Sequence, residues 1–232
     1  ELVDAFGMKN GKPITDPTSG YNPANPYDGR DPRLDSTILF TGARWLNTKI
    51  ETFEGGRNKP GGTKTQTKTS YYLRKFMGHF RNQNAYAAHP RNFVMFRLAE
   101  VYLNYAEAQN ELAGPDAGVY SALNQLRDRA KVGQVQTGLN KDQMREVIRN
   151  ERRVELAFEE HRYWDIRRWK IAADLAKNPL HGARIKISQV SGAIEAEKIE
   201  VLKPVFTEKM YLYPISQNEL DKNKNLIQNP GW

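Results

Sequence analysis

The chain contains no cysteine among its 232 residues. This absence excludes a disulfide scaffold, thiol catalysis, cysteine-ligated zinc and iron–sulfur clusters. No apolar run approaches the roughly 20 residues that cross a bilayer as a helix, and the mean hydropathy is −0.74. The length therefore indicates one sizeable domain, or two small ones, with a core large enough to fold without covalent staples.

Signals for the common catalytic sites are also missing. The four histidines never occur at i, i+4 spacing, so the chain lacks a His-Glu-x-x-His zinc motif. The glycine-rich stretch 56–61 has the spacing of a phosphate loop, but Gly62 follows where that motif requires Lys. Glu151 and Glu155 have the residue types of a glycosidase pair. The i, i+3 spacing of Arg152 with Glu155, and of Asp165 with Arg168, instead predicts an ion-pair network that stabilises the helices. We therefore expect neither an enzymatic activity nor a cofactor.

The excess of positive charge is concentrated in one segment of the chain. Lys and Arg number 35 against 27 Asp and Glu, a formal net charge of +8, and residues 44–91 contain ten basic and only two acidic residues. Aromatic residues interleave with this charge: Trp45, Phe53, Tyr71, Tyr72, Phe76, Phe80 and Tyr86. Sugar rings or bases could stack on them while cations hold anionic groups. A solvated basic loop above core aromatics is the simpler alternative.

Helical periodicity begins after this basic segment. The apolar residues that recur at i, i+3, i+4 spacing and predict one stripe are Leu98, Val101, Tyr102, Tyr105, Ala106 and Leu112. Gly114-Pro115 predicts the end of that helix, Asp116 caps a second, and Asn140 with Gln143 predicts a capping box that starts a third. The third pattern continues to Phe158, and a fourth covers roughly 161–176. Short turns between the helices indicate antiparallel helix pairs.

The flanking regions differ from this helical part. Residues 1–35 are dense in Gly and Pro, which predicts a lead-in loop, and Ile38-Leu39-Phe40 predicts a strand. Alternation at 184–188 and 198–201, with Ser191-Gly192 between, predicts a β-hairpin. Residues 211–213 predict a further extended piece. The fold class is therefore mainly α, with long loops and a small C-terminal β-hairpin.

Several motifs, in a fixed order, span nearly the whole chain. They are residues 22–34 (NPANPYDGRDPRL), 96–108 (FRLAEVYLNYAEA), 122–127 (ALNQLR), 151–169 (ERRVELAFEEHRYWDIRRW), 211–215 (YLYPI) and 226–232 (LIQNPGW). Together they resemble the C-terminal region of the SusD/RagB family of surface lipoproteins from glycan-foraging Gram-negative bacteria.

The resemblance implies a tetratricopeptide-like scaffold of helix hairpins and a loop-built ligand face. It implies one domain over 1–232, with a ligand-side region at 1–90, a helical core at 91–176 and a β-hairpin with terminal extension at 177–232. It further implies a non-catalytic subunit that binds oligosaccharides and hands them to a TonB-dependent, SusC-like outer-membrane transporter. We expect a cell-surface location, with a lipid anchor on an N-terminal segment outside this chain.

No family motif identifies ligand-contacting residues, so the candidates come from the chemistry of the side chains. Aromatic rings stack on the apolar faces of pyranoses, and long polar side chains bond hydroxyl groups. The candidate glycan-binding residues, all in or beside loops, are Trp45, Tyr21, Tyr27, Tyr71, Tyr72, Arg44 and Arg74. Trp45 is the strongest, because it lies outside the helices and starts the basic segment. The local charge also suggests an anionic ligand or an acidic docking surface.

Three alternatives stay open. The helix pairs suit a module that binds a protein or peptide, and the basic, aromatic segment 44–91 suits nucleic acid, although we do not expect nucleic acid as a partner. Calcium could bind the loop that holds Asp16, Asp28 and Asp31, but their spacing is not that of an EF-hand.

Overall fold

The computed structural model describes residues 1–61, 67–78 and 92–232. The N-terminal region contains only short elements: helices α1 (Leu2–Ala5) and α2 (Arg33–Thr37), and strands β1 (Ile38–Leu39), β2 (Arg44–Trp45), β3 (Thr48–Lys49) and β4 (Tyr72–Leu73). Strand β1 pairs antiparallel with β4, and β2 pairs antiparallel with β3. The strand predicted at 38–40 is confirmed at Ile38 and Leu39, and Phe40 lies just outside it.

The helical region contains α3 (Leu98–Ala113), α4 (Ala117–Ala130), α5 (Lys141–Glu155), α6 (His161–Arg168) and α7 (Ala172–Ala176). Helix α3 ends at Gly114, whose φ of 86° suits glycine. The Asp116 side chain accepts a hydrogen bond from the Val119 backbone N–H at 2.9 Å and caps α4. Asn140 and Gln143 form a reciprocal capping box at the start of α5. These predicted helix boundaries are confirmed.

A β-hairpin follows, formed by β5 (Leu180–Ile187) and β6 (Ile194–Leu202), and this prediction is also confirmed. A 3₁₀ turn (Glu208–Tyr211) and α8 (Gln217–Lys222) complete the described elements. The extended piece predicted at 211–213 is wrong at Tyr211, which closes the 3₁₀ turn. The architecture is mainly α with small antiparallel strand pairs, as predicted. No helix among the described residues is long and apolar enough to span a bilayer.

Two apolar clusters share helix α5. The larger cluster lies among α3, α4 and α5, and its buried members include Leu103, Leu123 and Ile148. The smaller cluster joins Phe6, Leu34, Phe40 and other N-terminal residues to Val154 of α5. Helix α5 therefore ties the N-terminal loops, which carry the predicted ligand side, to the helical scaffold.

The predicted apolar stripe of α3 is largely wrong. Leu98, Val101, Tyr105 and Leu112 are 49–81% exposed, whereas Ala99, Leu103 and Ala106 are at most 5% exposed. The packed side of α3 thus carries Leu103 between two alanines, which allow α4 and α5 to approach closely. The large apolar residues of the predicted stripe, except the partly buried Tyr102, lie on the outer side.

The predicted third and fourth helices are each shorter than expected. Helix α5 ends at Glu155, and Phe158 and Glu160 have left-handed φ values of 62° and 66°. The Glu155 carbonyl accepts hydrogen bonds from Arg97 at 2.7 Å and from Lys75 at 2.9 Å, and these long-range donors replace the amide of the next helical turn. A second break separates α6 from α7, where Lys170 has a φ of 58°.

Candidate functional site

The strongest predicted site residue, Trp45, lies at the tip of the hairpin β2–β3. Arg44 pairs with Lys49 and Trp45 with Thr48, so only Leu46 and Asn47 form the loop. Both loop residues are left-handed, with φ values of 49° and 64°. A two-residue loop with two positive φ values has the conformation of a type I′ turn, whose twist suits a tight hairpin. Trp45, which directly precedes this turn, is half-buried.

Polar side chains surround the face of the hairpin that carries Trp45 and Thr48. The Arg74 guanidinium lies 5.7 Å from the centroid of the Trp45 ring, a cation–π distance. Arg57 donates to the Thr48 hydroxyl at 3.0 Å and pairs with Glu51 at 2.9 Å. An aromatic surface bordered by fixed donors is suited to stacking a sugar ring and bonding its hydroxyl groups.

The opposite face of the same hairpin carries Arg44 and Lys49, because side chains alternate along a strand. Both side chains are exposed. Neither forms an ion pair or a side-chain hydrogen bond within 1–61, 67–78 and 92–232. Sequence reasoning identified Arg44 but missed Lys49 and Thr48, because their position opposite β2 depends on the strand register.

Tyr72 belongs to the neighbouring strand pair. It lies in β4, opposite Leu39 of β1, and its hydroxyl donates to the Asn58 carbonyl at 3.2 Å. Asn58 in turn accepts from the Glu51 backbone N–H at 3.1 Å. Tyr72 is thus connected through its hydroxyl to the loop that also holds Arg57.

The other three candidate tyrosines lie together elsewhere on the N-terminal loops. The hydroxyls of Tyr27 and Tyr71 are 3.3 Å apart, and the Tyr27 ring stacks on Phe40 with centroids 4.1 Å apart. Burial raises the pKa of both hydroxyls, so they stay protonated. The Tyr21 ring faces the Arg30 guanidinium at 5.4 Å. The contacts therefore join two pairs of candidates, Trp45 with Arg74 at the hairpin and Tyr27 with Tyr71 beside the smaller core. Arg44 lies on the opposite face of the hairpin, and Tyr21 and Tyr72 have the separate contacts given above.

Buried carboxylates next to the loops are engaged in ion pairs. Glu155, 4% exposed, pairs with Arg33 at 3.0 Å and Arg129 at 2.7 Å and also with Arg97. Burial alone would raise the pKa of Glu155, but these guanidiniums lower it to about 2. Glu151 is similarly paired, with Arg33 and Arg127. The Glu155 carboxylate therefore stays ionised, and both carboxylates connect loops to helices. The predicted Arg152–Glu155 pair is wrong, since Arg152 binds Asp165 at 3.0 Å.

The basic segment 44–91 is only partly described, and Phe80 and Tyr86 lie outside the described residues. Within its described part, Lys75 points inward and pairs with Glu159, so its charge is neutralised. Arg57 is neutralised by Glu51. These pairs reduce the free positive charge that the sequence suggested. Within the described part of the segment, Arg44, Lys49, Lys59 and Lys68 form no ion pair.

Two of the three aspartates considered for calcium, Asp16 and Asp31, have other roles in their loop. Asp16 accepts hydrogen bonds from the Thr18 backbone and hydroxyl at 2.7 and 2.6 Å. Asp31 binds the Arg33 guanidinium at 2.7 Å. In the described part of the chain, no three acidic or histidine side chains form a group that could hold a metal ion.

The comparisons with known proteins agree with this architecture. The SusD family model matches residues 1–232. SusD-like protein P2 of Formosa agariphila is 34% identical over 150 residues, which cover 61% of this chain and 26% of that protein. SusD-like protein P25 of the same organism is 43% identical over 93 residues, 39% of this chain and 18% of that protein.

Two solved structures from Bacteroides fragilis match almost the full chain. A SusD-like protein superposes with a TM-score of 0.78 and 30% identity, over 100% of this chain and 46% of that chain. A SusD-like carbohydrate-binding protein superposes with a TM-score of 0.74 and 27% identity, over 97% of this chain and 47% of that chain. The chain thus spans about half the length of these structures and a smaller share of the curated relatives. Because the family model extends over all 232 residues, the chain belongs to the SusD family.

Proposed function

We propose that this chain is the glycan-binding part of a non-catalytic nutrient-uptake subunit at the bacterial outer membrane. The family match over residues 1–232 carries the proposal, and one matched structure is a SusD-like carbohydrate-binding protein. In this proposal the ligand is an oligosaccharide or polysaccharide held by stacking and hydrogen bonds, with no bond made or broken. A TonB-dependent, SusC-like transporter receives it, and a lipid anchor holds the subunit at the cell surface.

The hairpin β2–β3 supports a location for the ligand. Trp45 is half-buried, so packing against the protein restricts its side chain while part of it stays open to solvent. Arg74 lies beside the ring, and Thr48 and Arg57 provide further polar atoms on that face. A preorganised aromatic platform loses little conformational entropy on binding. We therefore place the primary glycan contact at Trp45.

Native affinity electrophoresis tests this proposal. The chain is run through gels that contain a single neutral or acidic polysaccharide, or none, beside Trp45→Ala and the control Trp164→Ala. Trp164 is 56% exposed and lies on α6, away from the hairpin. We expect one class of polysaccharide to retard the chain and Trp164→Ala, and not Trp45→Ala. Equal retardation of both variants would refute the site, and no retardation by any polysaccharide would contradict glycan binding by this chain.

A second candidate function is favoured by the outer side of α3. Leu98 is 62% exposed, Val101 59% and Leu112 81%, and such a row of apolar side chains suits contact with another polypeptide. Binding of a peptide there would be insensitive to Trp45→Ala. A peptide bound by the chain with equal affinity in wild type and Trp45→Ala, in the absence of polysaccharide binding, would favour this second candidate.

A further inference from the structure

Two β-hairpins of this chain differ in which charged residues face each other across the strands. In β5–β6, cations lie opposite glutamates: Arg184 pairs with Glu197 and Lys186 with Glu195. In β2–β3, Arg44 lies directly opposite Lys49. Opposite charges on facing positions stabilise a strand pair, and like charges destabilise it. The β2–β3 hairpin therefore carries an unfavourable pair that the same protein avoids in β5–β6.

The position of this pair brings the two side chains close together. The Ile50 backbone N–H donates to the Ala43 carbonyl at 2.9 Å, so the next pair towards the tip, Arg44 with Lys49, is a non-hydrogen-bonded pair. Side chains are closest at such positions. Among the described residues no carboxylate pairs with either cation, whereas nearby Arg57 is neutralised by Glu51.

The loop conformation adds a second cost at the same place. Leu46 has a φ of 49°, a left-handed conformation that a residue with a branched side chain rarely adopts. Such strain persists where the surrounding structure requires a particular geometry, and it is common at binding sites. Here the tight turn is what fixes Arg44 and Lys49 opposite each other.

We propose that Arg44 and Lys49 form an anion-binding subsite, so that the preferred ligand is a glycan bearing carboxylate or sulfate groups. The inference rests on the proposed function. The Arg44 guanidinium can bind either group with two parallel hydrogen bonds, and the Lys49 ammonium adds a point charge. The bound anion would relieve the repulsion between the two cations.

The hairpin geometry also defines how the ligand lies. Trp45 and Thr48 face one side and Arg44 and Lys49 face the other. One sugar residue therefore cannot stack on Trp45 and bind the cation pair at once. The charged group belongs to a neighbouring sugar of a chain that crosses the edge of the hairpin.

The test measures dissociation constants by isothermal titration at 50 mM salt and at a higher salt concentration. The ligands are a neutral β-glucan, polygalacturonate, which carries carboxylates, and carrageenan, which carries sulfates. Variants are the double substitution Arg44→Gln with Lys49→Gln and the control Arg184→Gln with Lys186→Gln, which removes the same net charge from β5–β6. We expect wild type and control to prefer an acidic polysaccharide. The Arg44/Lys49 variant should bind it about tenfold more weakly, with a smaller salt dependence.

Lys49→Glu provides a variant in which a loss of binding is not explained by an unfolded hairpin. It converts the facing pair into Arg44 with glutamate, so the hairpin should be at least as stable, while binding of the acidic polysaccharide should fall by a larger factor. An unchanged or raised unfolding midpoint together with lost binding supports the subsite. Retained binding of the acidic polysaccharide by this folded variant overturns it.

The remaining outcomes separate the two proposals. Binding of the neutral β-glucan alone would overturn the anion subsite and leave glycan binding intact, and absence of all binding would contradict glycan binding itself. Equal weakening in the β5–β6 control would overturn the subsite by showing a general charge effect. Polyglutamate serves as an acidic polypeptide probe: if it binds through Arg44 and Lys49 more tightly than either acidic polysaccharide, the pair recognises protein surface and the glycan inference is wrong.

Discussion

Neutralising one buried carboxylate, through Glu155→Gln, should strongly destabilise the fold. Glu155 lies at the end of α5 and receives Arg33 from the N-terminal loops, Arg97 from the start of α3 and Arg129 from the end of α4. Its side chain is only 2% exposed. Glutamine keeps the shape but removes the charge, so three guanidiniums lose a common partner. Removing one member of a buried ion pair typically costs about 3–5 kcal/mol.

The pKa of Glu155 gives a second route to the same magnitude. The carboxyl pKa falls from 4.5 to about 2 on folding, and one pKa unit corresponds to about 1.4 kcal/mol. The ionised carboxylate therefore contributes on the order of 3 kcal/mol. Because the folded pKa is depressed, this contribution is complete above about pH 5 and is lost as the pH falls towards about 2.

Urea unfolding of wild type and Glu155→Gln, followed by circular dichroism from pH 7 to pH 2, measures both effects. The matched control is Glu146→Gln on the same helix, where the side chain is 71% exposed and pairs with Arg149. The control should change the unfolding free energy by less than about 0.5 kcal/mol. The reasoning is refuted if Glu155→Gln costs less than about 1 kcal/mol at pH 7, or if the difference from wild type does not shrink below pH 5.

Further substitutions test the helical scaffold. Leu103→Ala should lower the unfolding free energy by about 2–5 kcal/mol because Leu103 is fully buried. Leu98→Ala, at a 62% exposed position of the same helix, should change it by less than about 0.5 kcal/mol. Similar losses for both substitutions would contradict the burial of α3 described above. Asp116→Ala removes the hydrogen bond to the Val119 N–H and should cost about 1 kcal/mol, with Asp116→Asn largely retaining the cap. Thermal unfolding measures each of these effects.

Local signals were sufficient where local interactions determine the structure. Gly114 at the end of α3, the Asp116 cap and the Asn140–Gln143 capping box all involve contacts within a few residues. A sequence displays such contacts directly, because the partner lies at a fixed offset along the chain. The end of α3 and the starts of α4 and α5 were therefore predictable.

Distant partners set the features that could not be predicted. Helix α5 stops at Glu155 because donors from Lys75 and Arg97 bind its carbonyl, and these residues are far away in sequence. The buried side of α3 is likewise chosen by the helices that pack on it, so the larger apolar residues did not identify it. An ion pair between distant residues leaves no periodic signal.

In the candidate site, too, the residue types were predictable from the sequence and their arrangement was not. Aromatic and basic composition pointed to Trp45 and Arg44, but composition does not show which side of a strand each occupies. The register of β2–β3 assigns Trp45 to one face and brings Lys49, which composition did not single out, opposite Arg44. It is the two-residue turn, with Leu46 held at a positive φ, that fixes this register.

Positive charge consequently has two distinct uses in this chain. Arg33, Arg97 and Lys75 each meet buried carboxylates, and removing a partner there should cost stability. Arg44 and Lys49 meet no carboxylate among the described residues and oppose each other, so replacing one of them by an acid should increase stability. A pair of cations that lowers stability is expected to persist only where it binds something outside the fold. The opposite signs of these two stability effects therefore separate the structural charges from those available for an anionic ligand.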